Sequence, residues 1–234
     1  MGKMRIAAIA AISVVVLVVG GTWVFINVIK DEPASRLTLD DSTTSIPNSG
    51  AENSSTTAPS GVGIDGEWKA TADSIVGYRV KETLFGQSTE GVGRTNSVAG
   101  SMTIAGTTIE KATFEVDMTT VKSDSDRRDG QFNDRIMETA KFPKATFVLT
   151  APIKLANIPA DGEEISVKAT GDLTLKGTTK TLVFEMSAKR SGATISTLSN
   201  IKIVFDEWGI DNPSGGPATT GDDGDLEIKL VFQR

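Results

Sequence analysis

The sequence predicts an all-β protein: an antiparallel barrel of about eight strands with a short helix, preceded by one transmembrane helix. Three observations predict it. From residue 65 onward, apolar and polar residues alternate with a period of two in run after run. The runs are separated at short spacing by Gly-containing turns, and no segment is long enough for the crossover helices of a parallel sheet. Residues 6–29 form an uncharged stretch rich in Ile, Val and Ala.

As a helix, residues 6–29 would be about 36 Å long, enough to cross a hydrocarbon core of about 30 Å. Lys3 and Arg5 precede the stretch with no acid nearby, and Lys30, Asp31 and Glu32 follow it. The positive-inside bias then leaves the N-terminus in the cytoplasm and exports the rest as a single-pass protein of the cell membrane. A cleaved signal peptide would have a shorter apolar region and a small-x-small site, whereas this one ends in VFINVIK. The expected organisation is a cytoplasmic tip and transmembrane helix over 1–30, a linker over 31–64 and a barrel domain over 65–234. The linker is rich in Ser, Thr, Pro and acid, and it has too little apolar area to offset its ordering entropy. It is expected to be a disordered tether with an end-to-end distance of roughly 30 Å.

Composition removes several function classes. With no Cys and no His among 234 residues, thiol chemistry, imidazole acid–base work and His-based zinc sites are unavailable. The net charge is −6. Three of the 24 basic residues lie in the anchor, which leaves 21 against 30 acidic ones in the remainder, net −9. A domain of that charge lacks the basic face that nucleic acid requires, and anionic headgroups repel it.

The strands follow in order. Val76, Tyr78 and Val80 alternate with Gly77, Arg79 and Lys81; Ala112, Phe114, Val116 and Met118 alternate with Thr113, Glu115 and Asp117. Phe147 and Leu149 begin another run, and Ile165, Val167 and Ala169 a further one. Leu173 and Leu175 meet a turn at Lys176 and Gly177, after which Leu182, Phe184 and Met186 continue. A turn at Ser191 and Gly192 leads to the last two runs, 195–205 and 226–232. Gly91, Gly93 and Gly100 fall inside strand patterns and are expected to mark bulges or sharp coiling. The short helix belongs within 127–137.

The densest cluster of charge is RRDGQFNDRIMETAKFPKATF, residues 127–147, directly before an apolar strand. Counted from Asp124 as a calcium loop, it puts Arg128 at the fifth position, Asp129 at the sixth and Arg135 at the twelfth, so no metal site is expected. Interleaving of Arg127, Arg128 and Arg135 with Asp124, Asp126, Asp129 and Asp134 favours salt bridges that order the loop over an acid–base pair, so no catalytic residue and no enzyme is expected. From the strand faces alone, the aromatics are core as readily as ligand wall.

Arg128, Asp129, Phe132, Ile136, Phe142, Pro143, Ala145, Thr146 and Phe147 together resemble the central signature of the YceI-like domain family. The hairpin GDLTLKGTTK, residues 171–180, and DEWGI, residues 206–210, resemble two further motifs of that family in the same order, and Trp68 stands where the family begins its first strand. Gly130 and Gln131 stand where many members carry His and Leu. The fused anchor and linker are similar to the membrane-anchored actinobacterial type.

The resemblance implies a lipocalin-like barrel with an elongated apolar interior that holds a polyisoprenoid, such as an isoprenoid quinone or a polyprenyl phosphate, for carriage or storage in the cell envelope. The implied wall consists of Tyr78, Phe114, Val116, Phe132, Ile136, Met137, Phe142, Phe147, Leu173 and Phe184. Arg127, Arg128 and Arg135 are the headgroup candidates. The expected partners are this apolar lipid, with no other cofactor, and the cytoplasmic membrane through residues 6–29. The alternative is a structural or interaction module of the cell envelope whose barrel is filled by side chains and holds no lipid.

Overall fold

The computed structural model describes residues 33–40, 63–215 and 218–234. The expected transmembrane helix lies outside these residues, as does most of the expected linker. Among the described residues no helix is long and apolar enough to cross a membrane.

Thirteen strands among the described residues form one antiparallel sheet. They are β1 (Gly66–Ala70), β2 (Ile75–Leu84), β3 (Gln87–Thr95), β4 (Val98–Ala105), β5 (Thr108–Asp117), β6 (Lys122–Ser123), β7 (Lys144–Ala151), β8 (Ile153–Lys154), β9 (Glu164–Leu175), β10 (Thr178–Ser191), β11 (Thr194–Val204), β12 (Ala218–Thr220) and β13 (Asp223–Gln233). Several of the short strands are halves of longer, bent ones. β1 and β2 both pair with β13, and β3 and β4 continue one another along the opposite edge of that ribbon. Counted this way, eight long strands run up and down in chain order, and β13 closes the ring against β1 and β2.

The bend between β1 and β2 keeps its hydrogen bonds through a side chain. The fully buried Ser74 Oγ accepts from Val231 N at 3.1 Å and donates to Val231 O at 3.3 Å, so the gap in the ladder leaves no orphaned backbone groups there. Gly91, Gly93 and Gly100 do not mark bulges as expected: the ladder runs through all three without a shift. The register shifts fall instead between Thr103 and Ile104 and between Leu149 and Ala151. Gly93 is needed for contact, since a Cβ there would lie 2.4 Å from a ring carbon of Tyr78.

The expected short helix is α1 (Asp126–Gln131), which continues into a π-helical turn, Phe132–Ile136. The segment 33–40 belongs to the linker expected to be disordered, yet it lies against the outside of the barrel with Leu37 buried. Arg79 donates to Ala34 O at 2.7 Å, Arg94 to Ser35 O at 2.5 Å, and Lys189 to Asp40 Oδ1 at 2.5 Å. Arg36 of the segment in turn donates to Asp225 at 3.4 Å and to Glu90 at 3.5 Å. Composition alone misses the contact because every one of these partners lies on the distant barrel strands.

Candidate functional site

The barrel is hollow. An elongated cavity of about 650 Å³ reaches from the α1 end to the end where β10 turns into β11. An engineered apolar cavity of about 150 Å³ already takes up benzene, and small-molecule pockets span about 300–1,000 Å³. The filled barrel of the alternative expectation is therefore absent. Period two builds the wall: β11 alone contributes Ile195, Thr197, Ser199, Ile201 and Ile203.

The α1 segment lies across one mouth, and its charges are used to fasten it there. Asp129, 5% exposed, accepts from Ser123 N at 2.9 Å and Ser123 Oγ at 2.7 Å, and it lies 3.3 Å from Lys122 Nζ. Arg128 bridges Asp124, four residues earlier, and Glu82 of β2 at 3.2 Å. Burial disfavours the guanidinium charge, but Glu82 and Asp124 outweigh this and raise its pKa above the ordinary value. Phe132 stacks on Tyr78, ring centroids 5.2 Å apart. Burial pushes the Tyr78 phenol well above the usual tyrosine range, and the nearby Arg128 only partly counters that. A dense ionic loop thus precedes an apolar strand because its charges pin a cover whose apolar side chains face the interior.

The three sequence motifs meet at this same end. Lys176 and Gly177 take positive φ, 47° and 73°, as a tight hairpin turn requires. The Phe142 ring lies against Gly177, where a Cβ would stand 2.5 Å from Cε1. Lys176 Nζ reaches Glu138 at 3.0 Å. Lys180 contacts Glu207 at 2.8 Å and lies over the Trp208 ring.

Nine of the ten residues expected to form a lipid wall line the cavity; Phe142 packs against the Gly177 turn instead. It left the wall because the Lys176–Gly177 hairpin offers a bare backbone surface, a contact made only when two distant segments meet. Arg127 and Arg128 stand at the cavity mouth. Arg135 is turned away, towards the carbonyls of Asn212 at 3.3 Å and Pro213 at 3.4 Å. Sequence reasoning missed Lys189 and Arg190 at the opposite end, and also Thr197 and Ser199 in the middle. The signal for the last two was present: they fall on the inward face of the Ile195–Ile203 alternation.

An up-and-down antiparallel barrel closed around an apolar cavity, with a helical cover at one mouth, is a lipocalin-like barrel. The chain belongs to the YceI-like domain family, whose pattern it matches over residues 68–232. Its structure is similar to that of a domain from Saccharophagus degradans described as polyisoprenoid-binding and implicated in plant cell wall breakdown. The two share 17% identity with a TM-score of 0.57, over 71% of this chain and 97% of that one. It is also similar to BcnA of Burkholderia cenocepacia, at 20% identity and a TM-score of 0.53, over 69% of this chain and 98% of that one. At these identities the likeness is one of fold. No curated protein is significantly similar in sequence.

Proposed function

We propose that this barrel binds one long apolar lipid of the polyisoprenoid class and carries or stores it in the cell envelope, without catalysing a reaction on it. The observation that carries this reading is the continuous apolar cavity of about 650 Å³. The polyisoprenoid-binding description of the Saccharophagus degradans domain supports the choice of ligand class. Each buried CH₂ favours binding by about 0.8 kcal/mol, so a dozen give about 10 kcal/mol before the costs of association. At the α1 mouth, the exposed Arg127 is available to an anionic headgroup, whereas Arg128 is held by Glu82 and Asp124.

The proposal extends to placement. Residues 6–29 anchor the chain in the cytoplasmic membrane as a single helix with the barrel outside, as in the membrane-anchored actinobacterial type. The length and lack of charge of that stretch support this.

The test is lipid extraction and mass spectrometry of the purified full chain beside an Ala169→Trp variant. Ala169 is 2% exposed and lines the cavity, so the indole enters the space the lipid would take. Wild type is expected to retain a polyprenyl lipid near one per chain and the variant to lose most of it. Equal amounts in both, with both folded by circular dichroism, would show that the lipid sits elsewhere.

A further inference from the structure

In the wall of this apolar cavity, at the centre of β11, lies a polar atom that the barrel itself does not use. Ser199 is 6% exposed and faces the cavity from β11, and its Oγ has no hydrogen-bond partner among the described residues. A buried hydroxyl without a partner is destabilising and uncommon in folded proteins. Its own row of the ladder offers nothing in exchange. The next row of β13 presents Ile228, followed by Val76 on β2. Thr95 on β3 completes the row, but its hydroxyl is held by Thr120 at 2.6 Å and by Ser97 N at 2.9 Å. On the other side, the β10–β11 ladder runs from Ser191↔Thr194 to Ser187↔Leu198, and Ser199 is the first residue beyond it.

The charges of the wall are far from this point. Glu82, Asp124, Arg127 and Arg128 belong to the α1 mouth, and Glu163, Lys189 and Arg190 to the opposite end, while Asp225 is paired with Arg36 of the docked segment. Ser199 is five residues from either end of β11, and four residues, roughly 13 Å of strand, separate it from Ile195, the ladder partner of Arg190. An anion seated there would lose its water with no cation in reach, whereas a neutral oxygen would satisfy the hydroxyl and lose little.

We infer that Ser199 is a specificity-determining ligand contact: its hydroxyl donates to a neutral carbonyl oxygen of the bound lipid at mid-barrel. This rests on reading the cavity as a lipid site, and it refines the ligand class. A prenyl chain with a quinone-type carbonyl head enters head-first and seats the ring beside Ser199. A phosphate-headed chain leaves its head at a mouth and gains nothing from Ser199.

The experiment measures binding of three probes to the delipidated full chain: a prenylated benzoquinone, the prenyl hydrocarbon squalene and a prenyl monophosphate. Ser199→Ala is expected to weaken the quinone about 10-fold, about 1.4 kcal/mol, and to leave the other two unchanged. Ser199→Thr, which keeps a hydroxyl, is expected to restore most of the loss. Without ligand, Ser199→Ala is expected to melt at or above the wild-type temperature, because it removes an unsatisfied group. Equal affinities of wild type and Ser199→Ala for the quinone, or an equal loss for all three probes, would overturn the inference and leave the lipid reading standing. So would a lower melting temperature for Ser199→Ala, since the hydroxyl would then be serving the protein. Failure of the wild-type chain to bind any probe would overturn both.

Discussion

Arg79 Nε donates to Glu227 Oε1 at 2.6 Å on the outer face of the barrel, where the two side chains are only 3% and 1% exposed. The same carboxylate takes Arg94 Nη2 at 2.7 Å, and Arg79 also reaches Glu90 at 2.6 Å. Outward-facing charges on a barrel strand are ordinarily solvated. These lie beneath segment 33–40, whose backbone carbonyls complete the guanidinium hydrogen bonds.

Removing one partner leaves the other charges buried, which in such networks costs about 3–5 kcal/mol. Glu227→Ala is therefore expected to lower unfolding stability in urea by about 3 kcal/mol. Burial works against the Glu227 carboxylate, but the hydrogen bonds from Arg79 and Arg94 prevail and hold its pKa below the usual range. A folded-state pKa below the unfolded one means the stabilisation is fully present above about pH 4.3 and fades as pH falls through the folded value. Glu227→Gln should flatten this acid limb, and an unchanged acid limb would contradict the assignment.

The docked segment gives a second, independent readout. Arg36 has a half-exposed side chain, 53%, but its neighbours Ala34 and Ser35 are tied down through their carbonyls. Arg79→Ala is expected to raise the rate of tryptic cleavage after Arg36 about 10-fold while the barrel strands stay resistant. Cleavage at the wild-type rate would show that Arg79 does not hold the segment.

Gly177 joins two of the motifs, and its substitution should be felt by both. Alanine there must adopt φ of 73° and displace the Phe142 ring, with an expected loss of about 1–3 kcal/mol in urea unfolding. Double substitution with Phe142→Ala should cost less than the sum of the two single losses, because the clash is then relieved.

Tyr78 is the chain's single tyrosine, so its ionisation can be followed alone. Burial raises its pKa, so phenolate absorbance should stay low in the native protein through about pH 10, where the urea-unfolded chain titrates. A folded pKa above the unfolded one contributes stability that is fully present below about pH 10 and lost as pH rises further. Asp129→Ala, which loosens the α1 cover over Tyr78, should bring the native titration closer to the unfolded one. Native ionisation near pH 10 in the wild type would show the ring to be solvated.

Period-two alternation determined most of the barrel, because a strand with one face inside must repeat every two residues; thus Tyr78, Phe114 and Phe184 were already assigned to the inward face. The ionic run at 127–137 announced a short helical segment ordered by salt bridges, since interleaved Arg and Asp leave few other uses for themselves. Tertiary structure alone decided three things. It turned Phe142 away from the cavity, because a bare glycine hairpin from another part of the chain accepted the ring. It buried Arg79 and Glu227 on the outside, because segment 33–40 crosses over them. It left the middle of the barrel empty with Ser199 facing the space, since the width of the ring depends on how all eight strands close together and no local pattern records it.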